Sequence, residues 1–289
     1  LKQDGSIEAW GEYGGSGAPS GTGFTAIYST HVAFAALKQD GSIEAWGQAL
    51  GGGSGAPSGM GFTAIYSNMH AFAALKQDGS IEVWGDPAHG GSKVSGSSSA
   101  GSYIGAPSDT GFTAIYSTGS AFAALKQDRS IKAWGASSGG GSGAPSGTGF
   151  AAIYSTFMAF AALKYDGRIA AWGSSVHGGS DAPSGTGYLI TNTFDCHNPK
   201  SAPTSAPPPQ PPPAPPSFAP MCAPRSSAPA NVSSKIPGLC GNLAPNSYAF
   251  AALKQDGSIK VWGHPLSGGS YTSGSQNGFN YTRAPSGTG

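Results

Sequence analysis

The sequence is poor in charge. Only 15 Lys and Arg and 14 Asp and Glu occur among 289 residues, and the formal net charge is +1. A nucleic-acid-binding chain ordinarily carries a basic patch or stripe, because it must neutralise phosphates. We therefore expect no nucleic acid among the partners of this chain.

Long apolar runs are also missing. No stretch approaches the roughly 18 apolar residues that a membrane-spanning helix needs, so we expect no membrane insertion. A secretory signal is not recognisable either. The chain starts at Leu1, in the middle of a motif that is seen whole further on. We interpret it as a segment or a processed product.

Residue patterns typical of catalysis are missing as well. The six histidines show no metal-ligand spacing, and the Gly-rich connectors lack the Lys-Ser/Thr of a phosphate-binding loop. His89 and His177 occupy equivalent positions after a Trp-Gly pair, which indicates duplication of a module rather than a site. We therefore predict a chain without an enzyme active site, a metal or a cofactor.

What the sequence has is an internal repeat. The motif Phe-Ala-Ala-Leu-Lys-Gln-Asp-Gly-Ser-Ile-x-x-Trp-Gly recurs with Trp spacings of 36, 38, 50, 38 and 90 residues. The spacing of 50 reflects an enlarged loop in residues 75–111, which recurs in 253–289, and the spacing of 90 reflects an insertion between Tyr188 and Ala252. The basic period of about 36–38 residues is typical of stacked or circular repeat proteins. The tryptophans are Trp10, Trp46, Trp84, Trp134, Trp172 and Trp262.

Each module is expected to form three short strands. In the first complete module these are residues 24–29, 33–37 and 42–46, and the Asp-Gly between the last two is a strong hairpin signal. Arg129 replaces that Gly in one module, at an expected cost of roughly 1 kcal/mol. One three-stranded unit cannot bury both of its faces, so each unit must stack on its neighbours. The sequence predicts an all-β, propeller-like array of about six such units, either closed into a ring or open.

The same motif resembles a known family. Ala-Leu-Lys-Gln-Asp-Gly-Ser-Ile-Glu-Ala-Trp-Gly, a Gly-rich loop, Ala-Pro-Ser-Gly and a Phe-Thr-Ala-Ile strand are similar to the regulator-of-chromosome-condensation repeat. The short period is most similar to the three-stranded blades of the β-lactamase inhibitor protein II propeller. The resemblance implies a β-propeller architecture, and it implies no particular function because that fold hosts many.

An insertion of different composition interrupts the array. We divide the chain into repeat units at 1–192, a Pro-rich and Cys-containing insertion at 193–247, and a further repeat unit at 248–289. The prolines of the insertion predict a polyproline II strut, since proline lacks the amide donor and fixes φ. The stretch resembles hydroxyproline-rich glycoproteins, in which such prolines carry glycans, and a simple stiff spacer is the alternative. The candidate modified prolines are Pro207, Pro208, Pro209, Pro211, Pro212, Pro213, Pro215 and Pro216.

Sequons and cysteines suggest an extracellular setting. Asn231 and Asn280 head Asn-x-Ser/Thr sequons and are candidate glycosylation sites. Cys196, Cys222 and Cys240 all lie in the insertion, where two of them could form one disulfide in a secreted chain. The pairing stays open, and three free thiols are the alternative.

One pattern hints at recognition. Two adjacent residues vary from module to module in a turn between otherwise nearly identical strands. Equivalent turns of stacked units lie on one rim, so these residues could form a contact surface there. Neutral drift at unconstrained turn positions is the alternative. The candidate rim residues are His31, Val32, Met69, His70, Phe157, Met158 and Tyr248.

These features lead to a functional prediction. We expect a non-catalytic structural subunit of an extracellular glycoprotein assembly, such as a fibre, a surface appendage or a cell-wall element. The expected partners are other copies of the chain or other matrix glycoproteins, with glycans attached covalently. The alternative is a monomeric β-propeller that binds a ligand through its rim turns, as an adhesin, lectin or inhibitor does.

Overall fold

The computed structural model describes most of the repeat units. The described residues are 1–11, 16–99, 101–188, 243–245, 247–255, 258–265, 274–276 and 279–281. Among them the regular structure is almost entirely β, with four three-residue 3₁₀ turns at Ala49–Gly51, Pro87–His89, Ser137–Gly139 and Ser175–His177. No helix in this part of the chain has the length and apolarity to cross a membrane.

The strands form a series of antiparallel sheets that follow one another along the chain. Each complete unit contributes three strands in sequence order, with the second strand in the middle. The predicted all-β array of three-stranded antiparallel units is therefore confirmed. The strands are β1 (Phe24–Ser29), β2 (Ala33–Lys38), β3 (Ile43–Gly47), β4 (Phe62–Ser67), β5 (Ala71–Lys76), β6 (Ile81–Gly85), β7 (Gly96–Ser98), β8 (Gly101–Ile104), β9 (Phe112–Ser117), β10 (Ala121–Lys126), β11 (Ile131–Ala136), β12 (Phe150–Ser155), β13 (Ala159–Lys164), β14 (Ile169–Gly173), β15 (Leu243–Pro245), β16 (Ala249–Leu253), β17 (Ile259–Gly263), β18 (Gly274–Gln276) and β19 (Phe279–Tyr281).

The core lies between neighbouring sheets. Along the middle strand β5, Ala71 and Ala73 face the following unit, whereas Phe72 and Ala74 face the preceding one. This follows from the period of two in a strand, which sends alternate side chains to opposite faces. The small alanines of one unit leave room for the large rings of the next, so two sheets can approach closely and both faces of a unit are buried.

A tryptophan locks each unit to its predecessor. The indole of Trp84 stacks on Phe72 of its own sheet at 5.0 Å between centroids, and its Nε1 donates to the carbonyl of Gly52 in the loop of the preceding unit at 3.0 Å. The ring thereby buries apolar surface while its only polar atom is satisfied. The same bond recurs from Trp134 to Gly90, from Trp172 to Gly140 and from Trp262 to Gly178.

The enlarged loop in residues 75–111 forms two strands that the sequence did not predict. β7 and β8 make a hairpin, and β8 pairs with β11, the outer strand of the following unit. Ile104 lies opposite Gly135 and Tyr103 opposite Ala136. The loop of one unit thus extends the sheet of the next to five strands and covers its open edge.

The insertion falls largely outside the described residues. β15 starts at Leu243, within the predicted range 193–247, and pairs with β16 as the first strand of the last complete sheet. The first hairpin motif of the chain closes a turn, with the amide of Lys2 bonded to the carbonyl of Ser6 at 2.8 Å, but forms no regular strand.

In the four units whose hairpin is fully described, an aspartate closes the turn between the second and third strands. Asp40 Oδ1 accepts hydrogen bonds from the amide and the hydroxyl of Ser42 at 2.9 and 2.7 Å. The hydrogen bond from the serine side chain is the main cause that lowers the pKa of this carboxyl below 3.8. The pKa of the aspartate is lowered for the same reason at Asp4, Asp78 and Asp128.

These carboxylates predict a sensitivity to acid. A carboxyl whose pKa is depressed in the folded state stabilises the fold above its unfolded pKa near 3.8, and this contribution is lost as the pH falls through the folded pKa. We expect the free energy of unfolding to decline below about pH 4. In the variant D40N/D78N/D128N the decline should be shallower, because the amide oxygen still accepts the bonds but does not titrate. Urea unfolding at a series of pH values measures this, and equal pH profiles would contradict it.

The arginine that replaces a hairpin glycine does adopt a left-handed backbone conformation, with φ of 67° at Arg129. Its guanidinium carbon lies 5.5 Å from the centroid of the Tyr165 ring in the following unit. Tyr165 is itself an exception, because the equivalent residue of the three preceding units is a glutamine: Gln39, Gln77 and Gln127. The two departures from the repeat therefore face each other across a unit boundary.

This pairing predicts a coupling between the two positions. In the background Tyr165→Gln, the change Arg129→Gly should stabilise the chain by about 1 kcal/mol, because it relieves the positive φ. With Tyr165 present, the gain should be smaller by about 0.5–1 kcal/mol, since the cation–π contact is lost at the same time. A double-mutant cycle in urea unfolding measures the difference. The same gain in both backgrounds would show that the contact contributes nothing.

Candidate functional site: the rim of the stacked sheets

The turns between first and second strands line up along one rim of the stack. In each turn the amide of the first variable residue donates to the carbonyl of its counterpart in the following unit. These four bonds form a continuous series, which we call the rim ladder. They run from His31 to Met69 (3.0 Å), from Met69 to Gly119 (3.3 Å), from Gly119 to Phe157 (2.7 Å) and from Phe157 to Ser247 (3.0 Å).

A threonine or asparagine fixes each turn to the loop of its own unit. The hydroxyl of Thr118 donates to the carbonyl of Gly139 at 3.0 Å and accepts from the amide of Ala121 at the same distance. Thr30 makes both equivalent bonds, and Asn68 makes them with the two ends of its amide group. The hydroxyl of Thr156 donates to the loop carbonyl of His177 at 2.9 Å. The rim therefore has a fixed backbone, bonded along the stack and down into each unit.

Removal of one such hydroxyl should weaken the rim measurably. Thr118→Val keeps the shape of a buried side chain but leaves the carbonyl of Gly139 and the amide of Ala121 without this partner. We expect a loss of about 1–3 kcal/mol in the free energy of unfolding, the usual cost of a buried unsatisfied group. Thr148→Val, in an exposed connector, is the matched control and should change little. Calorimetric unfolding measures both, and equal costs would refute the role of this hydroxyl.

The second variable residue of each turn contacts the 3₁₀ turn after Trp-Gly. A Cβ on Gly51 would lie 2.4 Å from Val32 Cγ2, so the valine fills this space. Ser120 is placed in the same way against Gly139. Where the loop carries histidine instead of glycine, a ring stands beside the rim: the rings of His70 and His89 lie 4.7 Å apart.

One end of the rim is an imidazole cluster. Its three rings are those of His31, His70 and His89, with 5.6 Å between the first two centroids. His89 Nδ1 lies 2.7 Å from Asp86 Oδ2. The pKa of His70 is lowered, first by burial and then by the neighbouring imidazoles, so this ring resists protonation near neutral pH.

The other end is a cluster of rings in sequence, which we call the aromatic half. The centroid of Phe157 lies 6.1 Å from that of His177, His177 stacks on Tyr248 at 4.9 Å, and Tyr248 lies 6.0 Å from His264. Phe157 is 42% exposed and Tyr248 44% exposed. Burial lowers the pKa of His177, with His264 as a smaller cause. His177 Nδ1 shares a hydrogen bond with the Ser174 hydroxyl at 2.9 Å.

The two halves are continuous. A Cβ on Gly119, in the middle unit, would lie 2.9 Å from the Phe157 ring and 3.1 Å from the sulfur of Met69. These two side chains therefore reach over the middle turn from both sides. We use the name rim ribbon for the imidazole cluster, the aromatic half, and Met69 and Gly119 between them.

The structure brings the predicted rim residues together, and it adds three that the sequence reasoning missed. Met158 lies beside Ser120, whose hydroxyl is 3.5 Å from its sulfur. The added residues are His89, His177 and His264. In the sequence, His89 and His177 are attributed to duplication of the module. The signal that could have placed them at the rim is their fixed position after Trp-Gly, directly below the variable turn.

One other predicted site residue lies in a described strand. Asn280 lies in β19, opposite Ser275. The remaining sequon, the three cysteines and the candidate modified prolines lie outside the described residues, and their modification and pairing stay predictions. Within the described ranges, no group of three or more His, Cys, Asp or Glu side chains is placed to hold a metal ion. The residues outside these ranges are Asn231, Cys196, Cys222, Cys240, Pro207, Pro208, Pro209, Pro211, Pro212, Pro213, Pro215 and Pro216.

Comparison with known proteins finds structural similarity only. No protein-family model and no curated protein matches the chain. The CRINKLY WD40 ectodomain of the Arabidopsis thaliana receptor kinase ACR4 is similar at a TM-score of 0.44 and 14% identity, over 83% of this chain and 63% of that one. Yeast RCC1 (Prp20), in a complex with Kap60, is similar at a TM-score of 0.43 and 15% identity, over 89% of this chain and 61% of that one.

The ectodomain of the Physcomitrella patens receptor kinase CR4 is similar at a TM-score of 0.43 and 16% identity, over 83% of this chain and 50% of that one. The chain thus spans between half and two thirds of the length of these structures.

Proposed function

We propose that this chain is a non-catalytic binding module that takes its partner on the rim ribbon. The observation that carries the proposal is the aromatic half, where four rings stand in sequence and two of them, Phe157 and Tyr248, are more than two fifths exposed. Large rings at a fixed place on a surface are the residues that contribute most to binding when a partner covers them.

The rim is also preorganised for binding. The rim ladder and the threonine bonds hold the turns in place, so little conformational entropy remains to be lost on association. The depressed pKa values of His70 and His177 keep these two rings uncharged near neutral pH. The surface therefore suits an uncharged ligand with apolar faces better than an acidic or basic one.

A defined screen tests this proposal. The full chain, immobilised for biolayer interferometry, would be probed with a library of synthetic peptides and oligosaccharides. We expect at least one ligand whose affinity falls about tenfold or more in the variant F157S/Y248S, which corresponds to about 1.4 kcal/mol. Tyr165→Ser removes an exposed ring outside the rim and is the matched control. Ligands that bind the rim variant as tightly as the parent chain would refute the rim as the binding site.

A second candidate is the structural role in an extracellular glycoprotein assembly. The β7–β8 hairpin favours it, because one unit completes the sheet of the next and so makes a stiff series of units. The test is the intact mass and the sedimentation of material isolated from its natural source. Attached glycans together with polymers would support the role, whereas an unmodified monomer would refute it.

A further inference from the structure

We propose that the aromatic half of the rim is the docking site of the chain's own Pro-rich segment, with the core of the contact at residues 207–213. This deepens the proposed function, because it rests on the rim as a binding surface and names a ligand for one half of it. The core reads Pro-Pro-Pro-Gln-Pro-Pro-Pro and carries no charge.

The chemistry of the two surfaces agrees. Polyproline II ligands dock on surfaces lined with aromatic rings, whose faces contact the proline rings. In the aromatic half, each of the rings from Phe157 through His177 and Tyr248 to His264 lies 4.9–6.1 Å from the next. Seven residues in polyproline II extend about 20 Å, which is similar to the length that four such rings cover. A polyproline II ligand is stiff before it binds, so its docking costs little entropy.

The two halves of the rim differ in charge, and this difference favours the aromatic half as the docking site of the Pro-rich segment. In the imidazole cluster, Asp86 brings a carboxylate next to His89 at 2.7 Å. In the aromatic half the corresponding partner of His177 is the neutral hydroxyl of Ser174 at 2.9 Å. An uncharged proline segment has no donor for a carboxylate, whereas it can cover the ring faces of the aromatic half without the cost of desolvating that carboxylate.

The position of the insertion in the chain brings the segment within reach. The insertion returns to the fold at β15, and Ser247 and Tyr248 follow as part of the rim itself. On its other side the chain leaves at Tyr188, which pairs with Lys254 at the far end of β16. Six residues of strand separate that level from Tyr248, or about 20 Å. A chain of 19 residues, the number from Tyr188 to Pro207, reaches about 60 Å when fully extended, so its length suffices to bridge this distance.

The covalent connection also favours the chain's own segment over that of a second copy. A site and a ligand in one chain meet at an effective concentration that reaches the millimolar range when the linker can span the distance. A second copy would have to exceed that concentration in solution to compete. Docking within one chain is therefore the arrangement that the connectivity supports.

Chemical labelling of histidine tests the docking directly. Diethyl pyrocarbonate modifies accessible imidazoles, and peptide mass spectrometry gives the rate at His177 and His264. When the six prolines of the core are replaced by serine, we expect these rates to rise about threefold or more, which corresponds to a segment that is docked about two thirds of the time. His31 belongs to the other half of the rim and should react equally in both chains. The replaced prolines are Pro207, Pro208, Pro209, Pro211, Pro212 and Pro213.

A peptide in trans separates this inference from the proposed function. Addition of a synthetic peptide of residues 205–215 to the serine variant should restore the slow labelling of His177 and His264, and a peptide with serine in place of the prolines should not. An unchanged unfolding midpoint of the variant confirms that its units remain folded.

Three outcomes would overturn the docking within one chain. The parent chain and the serine variant could label at the same rate, which would leave the rim free of its own segment. The protection could vanish on dilution, which would assign it to a second copy. It could also vanish after enzymatic removal of glycans with the prolines intact, which would assign it to a sugar. In each case a library ligand lost in F157S/Y248S would still support the rim as a binding surface.

Discussion

Replacement of Trp134 by alanine should lower the free energy of unfolding by about 3–5 kcal/mol. The indole is fully buried and stacks on Phe122 at 5.3 Å between centroids. Its Nε1 donates to the carbonyl of Gly90 in the preceding unit at 3.2 Å. The change therefore opens a cavity between two units and leaves a carbonyl without this partner, so the transfer, cavity and hydrogen-bond costs add.

The chain contains its own control for this prediction. Trp10 occupies the same place in the repeat motif but is 82% exposed in the structure. Trp10→Ala should therefore cost less than about 0.5 kcal/mol, as surface substitutions usually do. Urea unfolding followed by the fluorescence of the remaining tryptophans measures both variants. A cost below about 1 kcal/mol for Trp134→Ala would show that the indole is not the lock between units.

The second large effect concerns Gly140, whose carbonyl accepts the equivalent hydrogen bond from Trp172 of the following unit. Gly140 has φ of 95°, and a Cβ built on it would lie 2.7 Å from Cδ2 of Phe160. Phe160 cannot yield, because it is fully buried and stacked on Trp172 at 5.1 Å. Gly140→Ala should therefore cost about 2–4 kcal/mol, of which about 1 comes from the positive φ and the rest from overpacking.

Gly59 separates these two costs. Its φ of 96° is nearly identical, but nothing lies within 4 Å of a Cβ built on it. Gly59→Ala should therefore show the backbone cost alone, about 1 kcal/mol. Thermal unfolding of both variants gives the difference. If the two substitutions cost the same, Gly140 does not need to be small, and the close approach of the preceding loop to Phe160 is wrong.

The fold could be predicted from the sequence because the determining signals are local. The Asp-Gly pairs specify hairpins, the short apolar run Phe-Ala-Ala-Leu specifies a strand with two buried faces, and the recurrence of both specifies stacking. The structure confirms these expectations at particular positions: Gly41 lies in the left-handed region with φ of 79°, and Trp84 is 3% exposed. The backbone strain predicted at Arg129 is likewise present as a positive φ.

Contacts between units could not be predicted in the same way. The pairing of β8 with β11 joins residues 31 or more positions apart, and the loop that forms β7 and β8 is rich in serine and glycine, without the alternation that marks a strand. The rim contains residues of both kinds, some that the sequence predicts and some that it does not. The variable turns were recognisable because they interrupt nearly identical strands, whereas the rings of His177 and His264 join Tyr248 only through the folding of their own loops.

Amide hydrogen exchange at the rim turns is the most direct measurement of the stack and of the ribbon that it carries. The amides of Met69, Gly119 and Phe157 lie in surface turns, and each donates to the following unit at 3.3, 2.7 and 3.0 Å. If the units are stacked as described, these three amides should exchange at least about a thousandfold more slowly than in an unstructured peptide, since exchange requires opening of the rim ladder at about 4 kcal/mol. Exchange at the rate of an unstructured peptide at all three would show that the turns are not bonded to one another, and the rim ribbon would not exist as a continuous surface.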